Sequence, residues 1–234
     1  NPMFKLGIYG ANYKLGMLMT IFIQMFRYAA EPFYFSKMKD HDAQTVYAQV
    51  MQYFFIFGIF IFLVVTLYID IFKHFINSKY HSGLHIVPII LMANLFLGVN
   101  YNLSIWYKLL NLTKLGAMIA LIGAGITIFM NMALIPLMGY EGSAWTTLTC
   151  YFTMMVVSYL MGRKHYYVPY RLTSILFYFI LGVSLFFIQM FIHYPSVIHK
   201  YLFNSLFLLG FIFVVLVKEK INIQDIKTFI GIKH

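Results

Sequence analysis

The chain has 234 residues, of which 62% are hydrophobic, 20% aromatic and only 10% charged. Soluble domains run near 45–50% apolar and about 25% charged, and no water-soluble core of this length could hide 25 Phe and 19 Tyr, so the composition is that of an all-α integral membrane protein. The net charge of +10 comes without a basic face interleaved with base-stacking aromatics, which excludes nucleic acid as a partner and leaves topology and contact with anionic membrane lipids as the uses of the excess Lys and Arg.

Asn1 is not Met and no signal peptide opens the chain; the sequence reads as starting partway through a longer protein. Residues 1–12 form a short polar approach with Pro2, Gly7 and Gly10. The first span covers about 13–35, with Pro32 placed to kink or end it. A hydrophilic stretch, 36–49, holds Lys37, Lys39, Asp40, His41 and Asp42. Further spans follow at about 50–69, 84–107, 115–137, 142–161, 172–192 and 201–217. The third carries Asn94, Asn100 and Asn102. The fourth and fifth carry faces of small and hydroxyl residues, Gly116, Ala120, Gly123, Thr127 and Asn131, then Gly142, Thr146, Thr149 and Thr153, which suit close helix packing. Each of the seven spans is long enough for a hydrocarbon core of about 30 Å. A basic tail with Lys218, Lys220, Lys227 and Lys233 ends the chain.

With seven spans the termini lie on opposite sides. Placing the tail inside puts Lys37, Lys39, Lys108, Lys114, Arg163, Lys164, Arg171 and the four tail lysines in the cytoplasm, against Lys5, Lys14, Lys73, Lys79 and Lys200 outside. That asymmetry orients the tail to the cytoplasm and Asn1 to the exterior.

The first span is the one that carries chemistry. At 100° per residue, Tyr13, Gly16, Thr20, Gln24, Arg27 and Glu31 fall within about 80° of one another, opposite Leu18, Ile21, Phe22, Met25 and Ala29. A charge in a membrane helix costs at least about 2.5–3.5 kcal/mol and is turned toward a bundle interior or cavity. Arg27 and Glu31 stand at i, i+4, so they can neutralise each other as a structural pair near the inner headgroups. Gln24 and Thr20 carry the stripe toward mid-membrane, which a pair built for the interface alone does not need; on that basis the stripe is a cationic site for an anionic substrate. Lys14 opens the same helix, as an interfacial anchor or as a further cation of the cavity. Asn94 shares a face with Gly98 and Tyr101, for an interhelical hydrogen bond or for lining the cavity. His81 and His85 have the i, i+4 spacing of a chelating pair, but Gly83 lies between them and no carboxylate is adjacent. No metal, cofactor or catalytic site is expected: there is no nucleotide-binding loop, no GxSxG elbow and no paired carboxylates, and Cys150 is the sole cysteine.

The stretch GIYGANYKLGMLMTIFIQMFRYAAEPFYFS resembles the segment that opens the second half of the polysaccharide flippases. Gly7, Tyr9, Ala11, Lys14, Leu15, Pro32 and Ser36 match that family's pattern. LNLTKLGAMIALIGAGITIFMNMALIPLMGYEGSAWTTL is similar to the stretch that follows there, through Lys114, Asn131, Pro136, Gly139, Gly142, Ser143, Ala144 and Thr147. The group is the oligosaccharide and polysaccharide branch of the multidrug/oligosaccharidyl-lipid/polysaccharide exporter superfamily. Its members typically have fourteen helices in two facing lobes plus two extra helices. The resemblance implies that this chain is the C-terminal half: residues 1–161 most of the second lobe, 162–217 the two additional helices, 218–234 the cytoplasmic tail. It also implies a transporter, not an enzyme, that moves a lipid-linked oligosaccharide across the bacterial inner membrane by alternating access, with the N-terminal lobe of the same protein as its missing partner. Alternatives are a drug/cation antiporter of the same superfamily, which would want mid-membrane carboxylates, and a membrane-embedded glycosyl- or acyltransferase built on Asp40, His41 and Asp42.

Overall fold

The computed structural model describes residues 2–220, and these are helical almost throughout. The helices are α1 (Pro2–Lys37), α2 (Ala43–Leu67), the short α3 (Ile69–Phe72), α4 (Val87–Leu103), α5 (Ile105–Leu109), α6 (Thr113–Met138), α7 (Tyr140–His165), α8 (Leu172–Phe191) and α9 (Val197–Lys218). Two 3-10 segments, Lys73–Phe75 and Ser78–Ile86, connect α3 to α4.

Six helices among the described residues are long and apolar enough to cross a membrane, counting Ser78–Leu109 as one. The expectation of seven is corrected on this point. At 36 residues α1 is more than long enough, but Lys14, Gln24, Arg27 and Glu31 keep it from being apolar enough. It also starts earlier than expected. The stretch 2–12, taken as a polar approach, is helical, and it is held there by packing: Gly7 faces the ring of Tyr80, and Asn12 donates to the carbonyl of Tyr80 at 2.9 Å. Pro32 neither stops nor shortens α1, which runs on to Lys37. Lys227 and Lys233 lie outside the described residues.

Burial ranks the helices. In α2 and the Ser78–Leu109 helix 67% of the most apolar window is buried, against 11% in α6, α8 and α9. So α2 and α4 form the centre. α1 packs on α4 and α2, α7 on the other flank of α4, α6 outside α7, and α8 and α9 on α2. Aromatic rings fill the joints: Phe22 of α1 stacks on Phe54 of α2 at 5.2 Å, and Phe62 of α2 meets Phe186 of α8 at 5.7 Å. Small residues set close approaches, at Gly123 on the expected face of α6, whose Ala120 is exposed, and at Gly98 outside the expected faces. Gly98 of α4 is crowded by Ile23 and Phe54, and Gly123 of α6 by Met154 and Cys150 of α7. Glycine is required at 139, where φ is +62° between α6 and α7.

In an apolar surrounding each polar tie between helices is worth keeping dry. Asn94 of α4 donates to the Gly16 carbonyl of α1 at 3.1 Å. Tyr34 of α1 donates to Asn102 Oδ1 of α4 at 2.6 Å, and Tyr47 of α2 donates to the Tyr34 carbonyl at 2.7 Å. Asn204 of α9 donates to the Leu67 carbonyl at the end of α2 at 2.6 Å. Beside it Asp70 accepts from Lys73 and from Lys200, the latter on α9. Those two ammonium groups, Lys200 first, hold the Asp70 carboxyl below its ordinary range.

Candidate functional site

The contacts of α4 with its neighbours advance in step. Gly16 lies against Ile90, Ile23 against Gly98 and Tyr34 against Asn102. On the other flank Glu141 pairs with His85 at 3.0 Å, Phe152 meets Phe96, and Gly162 packs on Trp106. Helices α1, α4 and α7 therefore run parallel, and α4 floors a trough whose walls are α1 and α7.

The faces of α1 separate as their period dictates. Leu15, Met19, Ile23, Ala30 and Tyr34 are buried against the bundle. Leu18, Ile21 and Met25, expected on the oily face, are exposed; Phe22, at the edge of that face, is half-buried against Phe54 and Phe57 of α2. Between the two lies the polar stripe, with Tyr13, Thr20, Gln24, Arg27 and Glu31 all half-buried. Thr20 and Gln24 make no side-chain hydrogen bond to another described residue. Gly16 is buried, since Asn94 uses its carbonyl. Asn94 itself is 1% exposed, so it ties helices together and does not line the trough. Lys14 is exposed at the margin of the stripe.

Arg27 and Glu31 do not pair with each other. Glu31 accepts from Lys108 of α5, across 77 positions of sequence. The guanidinium of Arg27 instead stands over the ring of Tyr101, 5.0 Å from its centroid, with Tyr28 at 5.7 Å. Two physical reasons favour this exchange. An i, i+4 pair is worth only about 0.2–0.5 kcal/mol, and less when the base precedes the acid. A flat guanidinium gains about 0.5–1 kcal/mol or more on an aromatic face. Lys108 is the member of this cluster that sequence reasoning missed. It lies just past the third expected span, 84–107, and counts there only as a cytoplasmic cation, although Tyr101, Ser104 and Lys108 recur at helical spacing.

Tyrosines extend the polar surface away from Arg27. Tyr9 and Tyr13 of α1 are 5.8 Å apart. Tyr151 of α7 faces Tyr13, Tyr101 and Tyr9, and Tyr9 reaches Thr147 of α7. Tyr107 stands beside Ser104, Tyr101 and Glu31. The trough therefore offers a row of phenol rings and hydroxyls that leads to one guanidinium.

A much larger hollow lies elsewhere. A cavity of about 490 Å³ opens between α2, α4, α7 and α8, lined by Phe55, Phe96, Phe152, Met155, Phe179 and other apolar groups. Its walls suit hydrocarbon and offer little to a sugar or phosphate. The pocket at Arg27, Glu31 and Lys108 is about 10 Å³, a narrow cleft between α1, α4 and α5.

The other candidates disperse. His81 turns its Nε2 to the carbonyls of Lys73 and Ile76, and His85 turns to Glu141. Among the described residues no three of His, Cys, Asp and Glu gather as metal ligands. Asp40, His41 and Asp42 are exposed, and Asp40 is engaged by Lys37 at 2.7 Å. No family model, no curated protein and no solved structure matches the chain.

Proposed function

We propose that the chain is the second helical lobe, with two accessory helices, of a flippase that moves a lipid-linked oligosaccharide across a bacterial inner membrane. The observation that carries this reading is Arg27: a half-buried guanidinium, paired with no carboxylate among the described residues, at the end of a tyrosine- and hydroxyl-lined trough. The physical problem of such transport is to take an anionic phosphate and a hydrated glycan past hydrocarbon. Arg27 offers the phosphate a planar, two-pronged donor. Tyr13, Thr20, Gln24, Tyr101 and Tyr151 offer sugar hydroxyls hydrogen bonds and sugar rings a flat platform. The lipid tail stays in the bilayer. No bond is broken, so the chemistry is binding and release, and the facing lobe closes the trough during alternating access. In this reading α1 is a seventh span whose stripe is sheltered by that lobe, and the tail is cytoplasmic.

The test is genetic and chemical together. Deleting the gene from its own cell should deplete surface glycan while the lipid-linked oligosaccharide accumulates in the inner leaflet. Re-expression should restore export, and re-expression with Arg27→Ala should not, at equal membrane abundance. Undiminished surface glycan after deletion defeats the proposal.

A further inference from the structure

Three charged side chains share one pocket at the end of the trough, and they do not cancel. Arg27, Glu31 and Lys108 line it together with Tyr34, Tyr101 and Asn102. The single carboxylate is engaged by Lys108, which leaves the guanidinium without a counter-ion among the described residues. The neutral neighbours do not supply one: the Tyr34 hydroxyl donates to Asn102 Oδ1, and the Asn102 amide donates to the Gly98 carbonyl. Glu31 and Lys108 are left uncovered by the rest of the chain, with side chains 40% and 30% exposed. In a water-filled trough an ion pair so open holds by a factor of a few at most, so a stronger anion can replace the carboxylate.

We propose that Glu31 is a displaceable counter-ion and Lys108 the second cation of the anion site. A diphosphate seated on Arg27 through one phosphoryl group takes Lys108 from Glu31 through the other, and Glu31 turns to water. This rests on the reading of Arg27 as an anion contact. The division of labour follows from the two cations. Guanidinium grips one phosphoryl group in a fixed, two-pronged geometry, whereas ammonium is a point charge on a flexible stem that can change partners without the backbone moving. The exchange also breaks the one ion pair that joins α1 to α5 among the described residues, so binding would loosen the wall of the trough from its floor.

The experiment is a calorimetric titration of inorganic pyrophosphate into the full chain in lipid nanodiscs at fixed, low ionic strength. Arg27→Gln and Lys108→Met should each weaken binding by on the order of tenfold, the loss of a charge-assisted contact. Glu31→Gln should tighten it by about threefold to tenfold, because the competing carboxylate is gone. In the double variant Glu31→Gln with Lys108→Met the gain should vanish, since the carboxylate acts through Lys108. If Glu31→Gln leaves binding unchanged or weaker while Arg27→Gln weakens it, the exchange is overturned and Arg27 stands. If the gain persists without Lys108, Glu31 acts by bulk charge alone and the exchange is likewise overturned. If Arg27→Gln binds as the unchanged chain does, or the unchanged chain does not bind at all, the anion site and the exchange fall together. Should Glu31→Gln be lost to misfolding, as seen by circular dichroism, Glu31→Asp replaces it. The shorter acid reaches Lys108 less well and should also tighten binding, and no tightening there overturns the exchange.

Discussion

At the scale of single residues, Arg27 and Tyr34 show how different two polar groups on one helix can be. Arg27 stands over the ring of Tyr101, with no carboxylate partner among the described residues. Arg27→Lys keeps the charge but loses the planar fork, so glycan export should fall roughly tenfold or more, the worth of one hydrogen bond to a charged group. Export at the normal level with lysine would show that a point charge suffices there and that the planar fork has no role. Tyr34 is 3% exposed and serves the fold. Its hydroxyl satisfies Asn102, so Tyr34→Phe leaves a buried carbonyl oxygen without its donor and should cost about 1–3 kcal/mol. Thermal unfolding in detergent measures this, and an unchanged midpoint would remove the bond from the account. The stripe itself was legible in the sequence, because a helical period needs nothing but the order of residues. The partner of Glu31 was not. Lys108 lies 77 positions away, and no local pattern states which ends of two helices meet.

At the scale of helices, glycine positions separate into those that touch and those that do not. A methyl group at Gly98 would come within 2.9 Å of both Phe54 and Ile23, whereas at Gly10 nothing lies within 4 Å. Gly98→Val should therefore destabilise the α1–α2–α4 joint by about 1–3 kcal/mol, and Gly10→Ala should not destabilise the chain. Equal melting of the two variants would contradict the packing described. The start of α9 is held differently, by Asp70 between Lys73 and Lys200. A carboxyl held low in the folded state adds stability that is present above its unfolded pKa of about 3.9 and is lost as pH falls through the folded value. Proteolysis in the 192–196 loop should therefore rise on acidification below about pH 4, and Asp70→Asn should show the high rate already at neutral pH. A cleavage rate insensitive to both changes would show the cluster to be ornamental. The helices themselves were legible from apolar runs, and their ends were less so. The start of α1 was missed because Pro2, Gly7 and Gly10 signal a loop locally, while the contacts of Gly7 and Asn12 with Tyr80 are distant in sequence.

At the scale of the whole molecule, the alternation of helix directions and the distribution of Lys and Arg make one prediction. Cysteines placed at Lys39 and Arg163 should resist a membrane-impermeant thiol reagent in intact cells, and one at Lys79 should react. Labelling at Arg163 from outside would reverse the orientation. The native Cys150 is buried against Gly123 and Met154 and should stay silent in the same assay. The count of spans was legible except for α1. That exception is physical: the helix with the stripe is the one whose composition leaves the apolar class, and its place in the bundle is set by packing on α4 and α2.

The parallel course of α1, α4 and α7 also has an electrical meaning. Each helix carries about half an elementary charge at either end, positive at the N-terminus and negative at the C-terminus. Three aligned helices therefore gather their negative ends on one side of the trough. On that side stand Lys37 in the last turn of α1, Lys108 on the short α5 that prolongs α4, and Arg163, Lys164 and His165 in the last turn of α7. The first turns of α1 and α4 hold no acid, and that of α7 holds only Glu141. The backbone thus presents a positive field at the end where basic side chains are fewer, and the side chains supply it where the backbone turns negative. Under the proposed function, an anion in the trough would meet attraction at both ends, from peptide dipoles at one and from ammonium and guanidinium groups at the other. Neither end forms a trap as deep as the two sources stacked together would make.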